Sequence, residues 1–308
     1  MSNLRILITG ATGFLGSNLV RKLESYNYDV MLLSRRGHFN PGTFKCVQAD
    51  LADPESYRHE IEKFKPQVVI HLAWSGLPDY SYRYSIENLT HSLELFSIVI
   101  NVGSCKKILV SGSCWEYSDL NGLCSEPDKA YPTNNFTWAK HSLYSWLKLN
   151  CEINNIGLGW FRVFYVYGPG QRNQSLIPSI IRSISKGEAP SLRSPSAAND
   201  FVFIEDVVDA FLMAIVKNFD SGIFNIGSGE SSRVVDVCAI TESVIFSSIS
   251  LTNQIKLEGL TEKPVNFWAD IKKSKQQLDW CPKISLLEGI ARTLQSYYDH
   301  DEISSIDS

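Results

Sequence analysis

Three glycines at three-residue intervals, Gly10, Gly13 and Gly16, constrain this chain more than any other feature. They stand in Thr9-Gly10-Ala11-Thr12-Gly13-Phe14-Leu15-Gly16, directly after the apolar run Arg5–Thr9. Behind them Phe14, Leu15, Leu19, Val20 and Leu23 recur at helical spacing. Glycine is needed where a backbone turns sharply and where an anion must approach the main chain closely. The helix that follows offers free N–H groups and the positive end of its dipole. A strand, this turn and a helix in that order predict a cradle for the pyrophosphate of a dinucleotide.

The next segments keep the same rhythm. Apolar runs at residues 30–33, 68–72 and 107–111 read as buried strands, and helical patterns at 54–64, 86–102 and 136–154 fill the gaps. The strands are continuously apolar rather than alternating, which means a parallel sheet covered on both faces. After Gly168-Pro169-Gly170 the rhythm loosens. Helical patterns at 176–186, 207–218, 234–246 and 286–298 mix with short strands at 201–204 and 223–226. The expected fold is α/β: a doubly wound parallel Rossmann sheet with a smaller mixed C-terminal substrate domain. Residues 1–168 form the dinucleotide-binding domain and 169–300 mainly the substrate domain, with some return to the sheet. The polar, acidic residues 301–308 are expected to fray.

A net charge of −4 gives no basic footprint for nucleic acid or acidic lipid. No run of about 18 apolar residues appears, so no membrane span is expected. The apolar start is too short for a signal-peptide core. The seven cysteines are scattered without a CxxC pair, which fits reduced thiols in a cytoplasmic enzyme with no metal site.

The GxxGxxG turn, with Asp50-Leu51, His71-Leu72-Ala73, Asn88, the segment 162–170, Asp200-Phe201-Val202 and Phe224-Asn225-Ile226-Gly227, resembles the extended short-chain dehydrogenase/reductase family. It is also called the NAD(P)-dependent epimerase/dehydratase family, and the likeness runs almost the whole chain. The resemblance implies cofactor contacts from Gly10, Thr12, Gly13, Phe14, Leu15 and Gly16. It extends them to Asp50, Leu51, Leu72, Ala73, Trp74, Asn88, Ser111, Lys140 and Phe164. It also implies a nucleotide-diphosphate sugar as partner, and by analogy a homodimer through the helices at 86–102 and 136–154.

An acidic residue normally ends the second strand when NAD is bound, holding the adenosine ribose. Here the strand ends Leu33-Ser34-Arg35-Arg36. Ser34 is neutral, and Arg35 and Arg36 can clamp a 2′-phosphate. NADP(H) is therefore favoured over NAD(H).

The family resembled uses a Ser or Thr after strand five and a Tyr-x-x-x-Lys on the next helix. Ser111-Gly112-Ser113-Cys114-Trp115-Glu116-Tyr117 registers Ser113 as the hydroxyl, and Lys140 as the lysine. The tyrosine position reads Phe136. Phenylalanine keeps the ring and removes the proton, a loss of about 10²–10⁴-fold for a general acid or base. Three readings stay open: an engineered Tyr-to-Phe form that traps a complex, another donor such as Tyr165, Tyr117 or a water on Lys140, or a binder without chemistry.

The family's 4,6-dehydratases carry Asp-Glu after the catalytic hydroxyl, where this chain has Cys114 and Trp115. Its epimerase-reductases of the GDP-fucose-synthase kind carry a cysteine two places on and a histidine after Gly-Pro, where this chain has Trp115 and Gly170. Both reactions are excluded on that ground. The expectation is NADPH-dependent reduction of an NDP-4-keto-6-deoxy sugar, with a 4-epimerase holding NAD as the alternative. Trp74, Ser113, Cys114, Trp115, Tyr165 and Leu176 are read as the sugar side, Cys114 as a small residue there rather than a base. Asn199 and Lys263 stand where the family has arginines for the diphosphate, and Arg193 or Arg172 would compensate.

Overall fold

The computed structural model describes residues 3–36, 44–117, 120–257 and 265–299. The chain opens with β1 (Arg5–Thr9), α1 (Phe14–Leu23), β2 (Asp29–Ser34), β3 (Lys45–Gln48), α2 (Arg58–Phe64) and β4 (Val68–His71). It continues through α3 (Tyr82–Asn101), β5 (Lys107–Ser113), β6 (Asn121–Cys124), α4 (Asn135–Ile153), β7 (Gly157–Val163) and β8 (Tyr165–Tyr167). Next come α5 (Leu176–Ser185), β9 (Ala198–Asn199), β10 (Phe201–Phe203), α6 (Ile204–Val216) and β11 (Gly222–Ile226). The remainder is β12 (Ser232–Arg233), α7 (Val234–Phe246), β13 (Asn266–Ala269), α8 (Lys272–Leu278) and α9 (Leu286–Asp299).

The main sheet has the order β3-β2-β1-β4-β5-β7-β11, and every pairing is parallel. Side chains alternate across it, as the pleat requires. Ile6 and Ile8 pack with Leu19 and Val20 of α1 and with Val207 and Phe211 of α6. Leu7, between them, packs with Phe96 and Val99 of α3 and Leu143 and Leu147 of α4. Both faces are covered, which is the doubly wound Rossmann arrangement. Strand order reverses between β1 and β4, and ligands of such sheets bind in the crevice beyond that point.

The smaller part is mixed. β12-β9-β13-β6 form one sheet and β10-β8 a second ribbon, beneath α5, α7 and α9, which meet through Ile180, Val237 and Ile290. Asp200, buried between β9 and β10, accepts hydrogen bonds from the N–H groups of Ser228, Gly229 and Ala269. Burial raises its pKa. It thereby ties the end of β11 to β13. β11 itself returns to the main sheet beside β7, and β6 leaves the N-terminal half to pair with β13.

Three expectations need correction. The helix at 54–64 is broken at Tyr57 into a 3₁₀ turn (Pro54–Ser56) and α2, because the buried Tyr57 leaves helical dihedrals (φ −135°, ψ −16°). α3 starts at Tyr82, four residues before the apolar period begins, since Tyr82 and Arg83 point to solvent. β3 and β7 carried no signal: β3 is short and only half-buried, and Gly157 and Gly159 make β7 look like a turn. A Cβ on Gly159 would lie 2.9 Å from the Leu109 side chain, so the glycine lets β5 and β7 pack. Residues 301–308 and Lys263 lie outside the described residues. Among the described residues no helix is long and apolar enough to cross a membrane.

Candidate functional site

A cavity of about 470 Å³ opens at the strand-order reversal. Thr9, Gly10, Thr12 and Gly13 line it from the turn, Ser34 and Arg35 from the end of β2, and Asp50 and Leu51 from the end of β3. Leu72, Ala73 and Trp74 follow β4, and Asn88 closes the side. Gly10 has φ +73°, and a Cβ there would sit 2.6 Å from the Ala73 nitrogen. The turn therefore touches the backbone that follows β4, which no side chain would permit. Gly13 is the N-cap of α1 with no side-chain cap, leaving the first N–H groups for a ligand.

The side chains of several other expected cofactor contacts have partners within the protein. A Cβ on Gly16 would lie 2.0 Å from the Gly10 carbonyl oxygen, so Gly16 packs helix against turn. Phe14 and Leu15 pack toward Tyr167, Ile177 and Phe203 of the smaller part. Phe164 is buried with Tyr117 and Phe267. Arg36 is exposed, and its N–H donates to the Ser34 Oγ at 3.2 Å. Asn88 holds the loop after β4: it accepts from the Ser75 N–H at 2.7 Å and donates to the Ser75 and Tyr84 carbonyls.

A second cavity, of about 560 Å³, lies between the main sheet and the smaller part. Trp115, Tyr165, Leu176, Arg193 and Asn199 line it as expected. Thr133, Asn134, Ser179, Leu192, Ser194 and Phe267 also line it and had no sequence signal of their own, although Asn134 shows the capping spacing of an N-cap before Thr137. Arg172 is exposed and off this wall. Cys114 is buried among Tyr117, Cys124 and Phe267 instead of facing the cavity. Burial first, then the Asp200 carboxylate, pushes its thiol pKa well up, so it is not a base.

Phe136 and Lys140 meet Trp74, which lines the first cavity, and Ser113 meets Trp115, which lines the second. Ser113 Oγ accepts from the Trp115 N–H at 3.2 Å, which leaves its own hydrogen for a ligand oxygen. Lys140 lies one helical turn after Phe136 on the same face of α4. Its ammonium donates to the Ser111 carbonyl at 2.8 Å and sits 4.0 Å over the Trp74 ring. Burial lowers its pKa to about 8, against the opposing pull of Glu116. The Phe136 ring is buried, 5.5 Å from Trp74 and 5.3 Å from Tyr80 between ring centres.

Two neighbours went unread in the sequence. Glu116 is fully buried behind Ser113, accepting from the Ser113 N–H at 2.7 Å, the Trp160 Nε1–H at 2.9 Å and the Arg162 Nε–H at 3.4 Å. Tyr80 covers the front, its ring 5.2 Å from Trp115. Of the named alternative donors, Tyr117 gives its proton to Asn225 Oδ1 at 2.6 Å and lies beneath Arg162, committed to structure. Tyr165 accepts from the Trp115 Nε1–H at 3.0 Å, and burial pushes its pKa to about 12. Among the described residues no group of His, Cys, Asp or Glu is arranged to hold a metal.

Residues 6–227, which include the glycine turn, Ser113, Phe136 and Lys140, match the model of the NAD dependent epimerase/dehydratase family. The chain belongs to that family.

Similar members include a putative UDP-glucose 4-epimerase of Methanocaldococcus jannaschii, 28% identical over 94% of this chain and 97% of that protein. A dTDP-4-dehydro-6-deoxyglucose reductase of Escherichia coli is 27% identical over 94% of this chain and 96% of its own. Among solved structures, the UDP-glucose 4-epimerase of Thermotoga maritima with UDP-glucose superposes with a TM-score of 0.83. It is 24% identical and covers 96% of this chain and 99% of the other, which shows the same fold. As a member of the epimerase/dehydratase family the chain keeps a turn whose uncapped helix start fits a pyrophosphate, and it carries phenylalanine at position 136.

Proposed function

We propose that this protein reduces the 4-keto group of a nucleotide-diphosphate 4-keto-6-deoxy sugar with NADPH. The observation that carries the reading is the end of β2, where Ser34 and Arg35 line the dinucleotide cavity. A carboxylate there would repel a 2′-phosphate; a guanidinium pairs with it in fork geometry. Gly10, Gly13 and the start of α1 would hold the pyrophosphate, Asp50 and Leu51 the adenine side, and Trp74 with Lys140 the nicotinamide end. When bound, the dinucleotide supplies a hydride to the sugar carbonyl carbon. Ser113 Oγ donates to the carbonyl oxygen, and Lys140 adds positive charge beside it. Trp115, Leu176, Arg193 and Asn199 would receive the nucleotide-diphosphate sugar.

Cys114 and Trp115 support reduction over dehydration, since neither offers the acid and base that water loss requires. The Escherichia coli relative bears a reductase's name, which supports the same reading. The name of the Methanocaldococcus relative favours a second one: a 4-epimerase that keeps NAD bound. Purified protein incubated with NADPH and an NDP-4-keto-6-deoxyglucose separates them. Reduction predicts loss of 340 nm absorbance matched by a product two mass units heavier. An epimerase would carry its own dinucleotide through purification and convert NDP-hexoses without net oxidation. Neither change would leave only a binder. The reading includes a cytoplasmic homodimer through α3 and α4, where Trp138, Leu149 and Ile153 of α4 are exposed.

A further inference from the structure

The ketoreductase reading leaves one chemical gap: Phe136 has no proton for the oxygen that the hydride transfer makes basic. Tyr80 stands beside that gap. Its ring lies 5.3 Å from Phe136 on one side and 5.2 Å from Trp115 on the other, so it bridges α4 to the segment that carries Ser113. Among the described residues no hydrogen bond holds its hydroxyl. Its ring contact with Trp115, which lines the second cavity, puts Tyr80 at the edge of that cavity.

The backbone beneath Tyr80 is held at several points. Asn88 ties Ser75 on both its N–H and its carbonyl, the Asp79 N–H donates to the Gly76 carbonyl at 2.8 Å, and Asp79 Oδ1 accepts from the Ser81 N–H at 2.8 Å. A ring fixed in this way is a positioned group, as a proton donor must be. Tyr165 is less suited, since its hydroxyl already accepts from the Trp115 Nε1–H and its ring packs on Phe201 and Phe267, with no ring contact to Phe136 among the described residues.

We infer that Tyr80 supplies the proton that residue 136 lacks, an assignment that rests on the ketoreductase reading. As the carbonyl carbon receives the hydride, the carbonyl π pair becomes a lone pair on the sugar oxygen. Tyr80 Oη gives its proton to that oxygen, with Ser113 holding the oxygen in place. The ketone leaves as an alcohol and the dinucleotide leaves oxidised. The Tyr80 phenolate then takes a proton from water, to which the side chain is open at 36% exposure.

The test compares the natural chain with Tyr80→Phe and with Tyr80→Phe combined with Phe136→Tyr, using NADPH and an NDP-4-keto-6-deoxyglucose. Calorimetry on dinucleotide-free protein reads sugar-nucleotide affinity in parallel. Tyr80→Phe is expected to lower kcat by about 10²-fold or more with KM and affinity held within about threefold. Adding Phe136→Tyr to that variant is expected to recover at least tenfold. Equal kcat in the natural chain and Tyr80→Phe overturns the assignment while the ketoreductase reading stands. A defect that follows lost affinity, or that Phe136→Tyr leaves untouched, makes Tyr80 a wall and also overturns it. If the natural chain reduces no keto sugar, the ketoreductase reading falls and takes this assignment with it.

Discussion

The Lys140 ammonium lies 4.0 Å from the centre of the Trp74 ring and donates a 2.8 Å hydrogen bond to the Ser111 carbonyl. An aromatic face and one carbonyl replace bulk water around a buried charge, and burial accordingly brings the pKa from 10.5 to about 8. A base whose folded pKa lies below its unfolded value leaves the unfolded chain holding more protons between the two. Folding stability therefore rises with pH from about 8 to 10.5. Below that window the cost of burying the charge is present in full; above it the cost is gone. Lys140→Met should remove this increment. Denaturant melts of both proteins at pH 7.5, 9 and 10 should show the natural chain gaining on the variant as pH rises. A gap independent of pH would contradict the argument.

Cofactor choice follows from the end of β2. NADPH should bind at least about tenfold tighter than NADH, since one charge-assisted pair on a phosphate contributes on the order of 1.5–3 kcal/mol. Arg35→Ala should cost NADPH most of that margin and leave NADH nearly unchanged. Titration calorimetry giving equal affinities in the natural chain would refute the preference.

Glu116 and Arg162 form an ion pair that solvent does not reach, with side chains 0% and 1% exposed. Removing one partner strands the other, a loss of about 3–5 kcal/mol. Glu116→Gln should lower the melting temperature sharply and also loosen Ser113, whose N–H loses its carboxylate acceptor. The double change Glu116→Gln with Arg162→Met should recover part of the stability and none of the Ser113 positioning. Additive losses in the double variant would mean that the pair is not coupled.

Water elimination is the reaction this site should not perform. Even with Phe136→Tyr, incubation with NDP-glucose should yield no product 18 mass units lighter, because Cys114 is buried with its thiol pKa raised and Trp115 has no titrating group. Mass spectrometry detecting that loss would remove the main ground for preferring a reductase.

How much was legible beforehand depended on distance along the chain. The glycine turn is a local object, eight residues whose spacing alone states its geometry, and Phe136 with Lys140 is one helical turn. Ser113 could be registered because Tyr117 follows it at a fixed interval. The second cavity is different: Trp115, Asn134, Tyr165, Arg193 and Phe267 reach it from five segments, and no window of sequence contains their common wall. Tyr80 meets Phe136 across 56 positions, from a loop with no repeating pattern. The side chains of Phe14, Leu15 and Phe164 turn away from the first cavity for the opposite reason, while the Phe14 and Leu15 N–H groups stay at the uncapped start of α1. All three residues flank cofactor residues in the sequence, but large apolar side chains turn into the nearest core, away from a polar cavity.

The parallel sheet has one more consequence, for synthesis. Its N-terminal strands need α6 as a roof: Val207, Val208, Phe211 and Ile215 seal the face formed by Ile6, Ile8, Val30 and Leu32, and the Phe211 ring meets Phe161 at 4.6 Å. That roof is encoded after β9 and β10, and the outer strand β11 comes later still. A ribosome that has released only the first 168 residues has therefore made the glycine turn, Ser113 and Lys140 and six of the seven strands, yet one apolar face of that sheet is covered by α1 alone. An excised fragment of that length, its apolar face lacking α6, is expected to precipitate instead of binding dinucleotide.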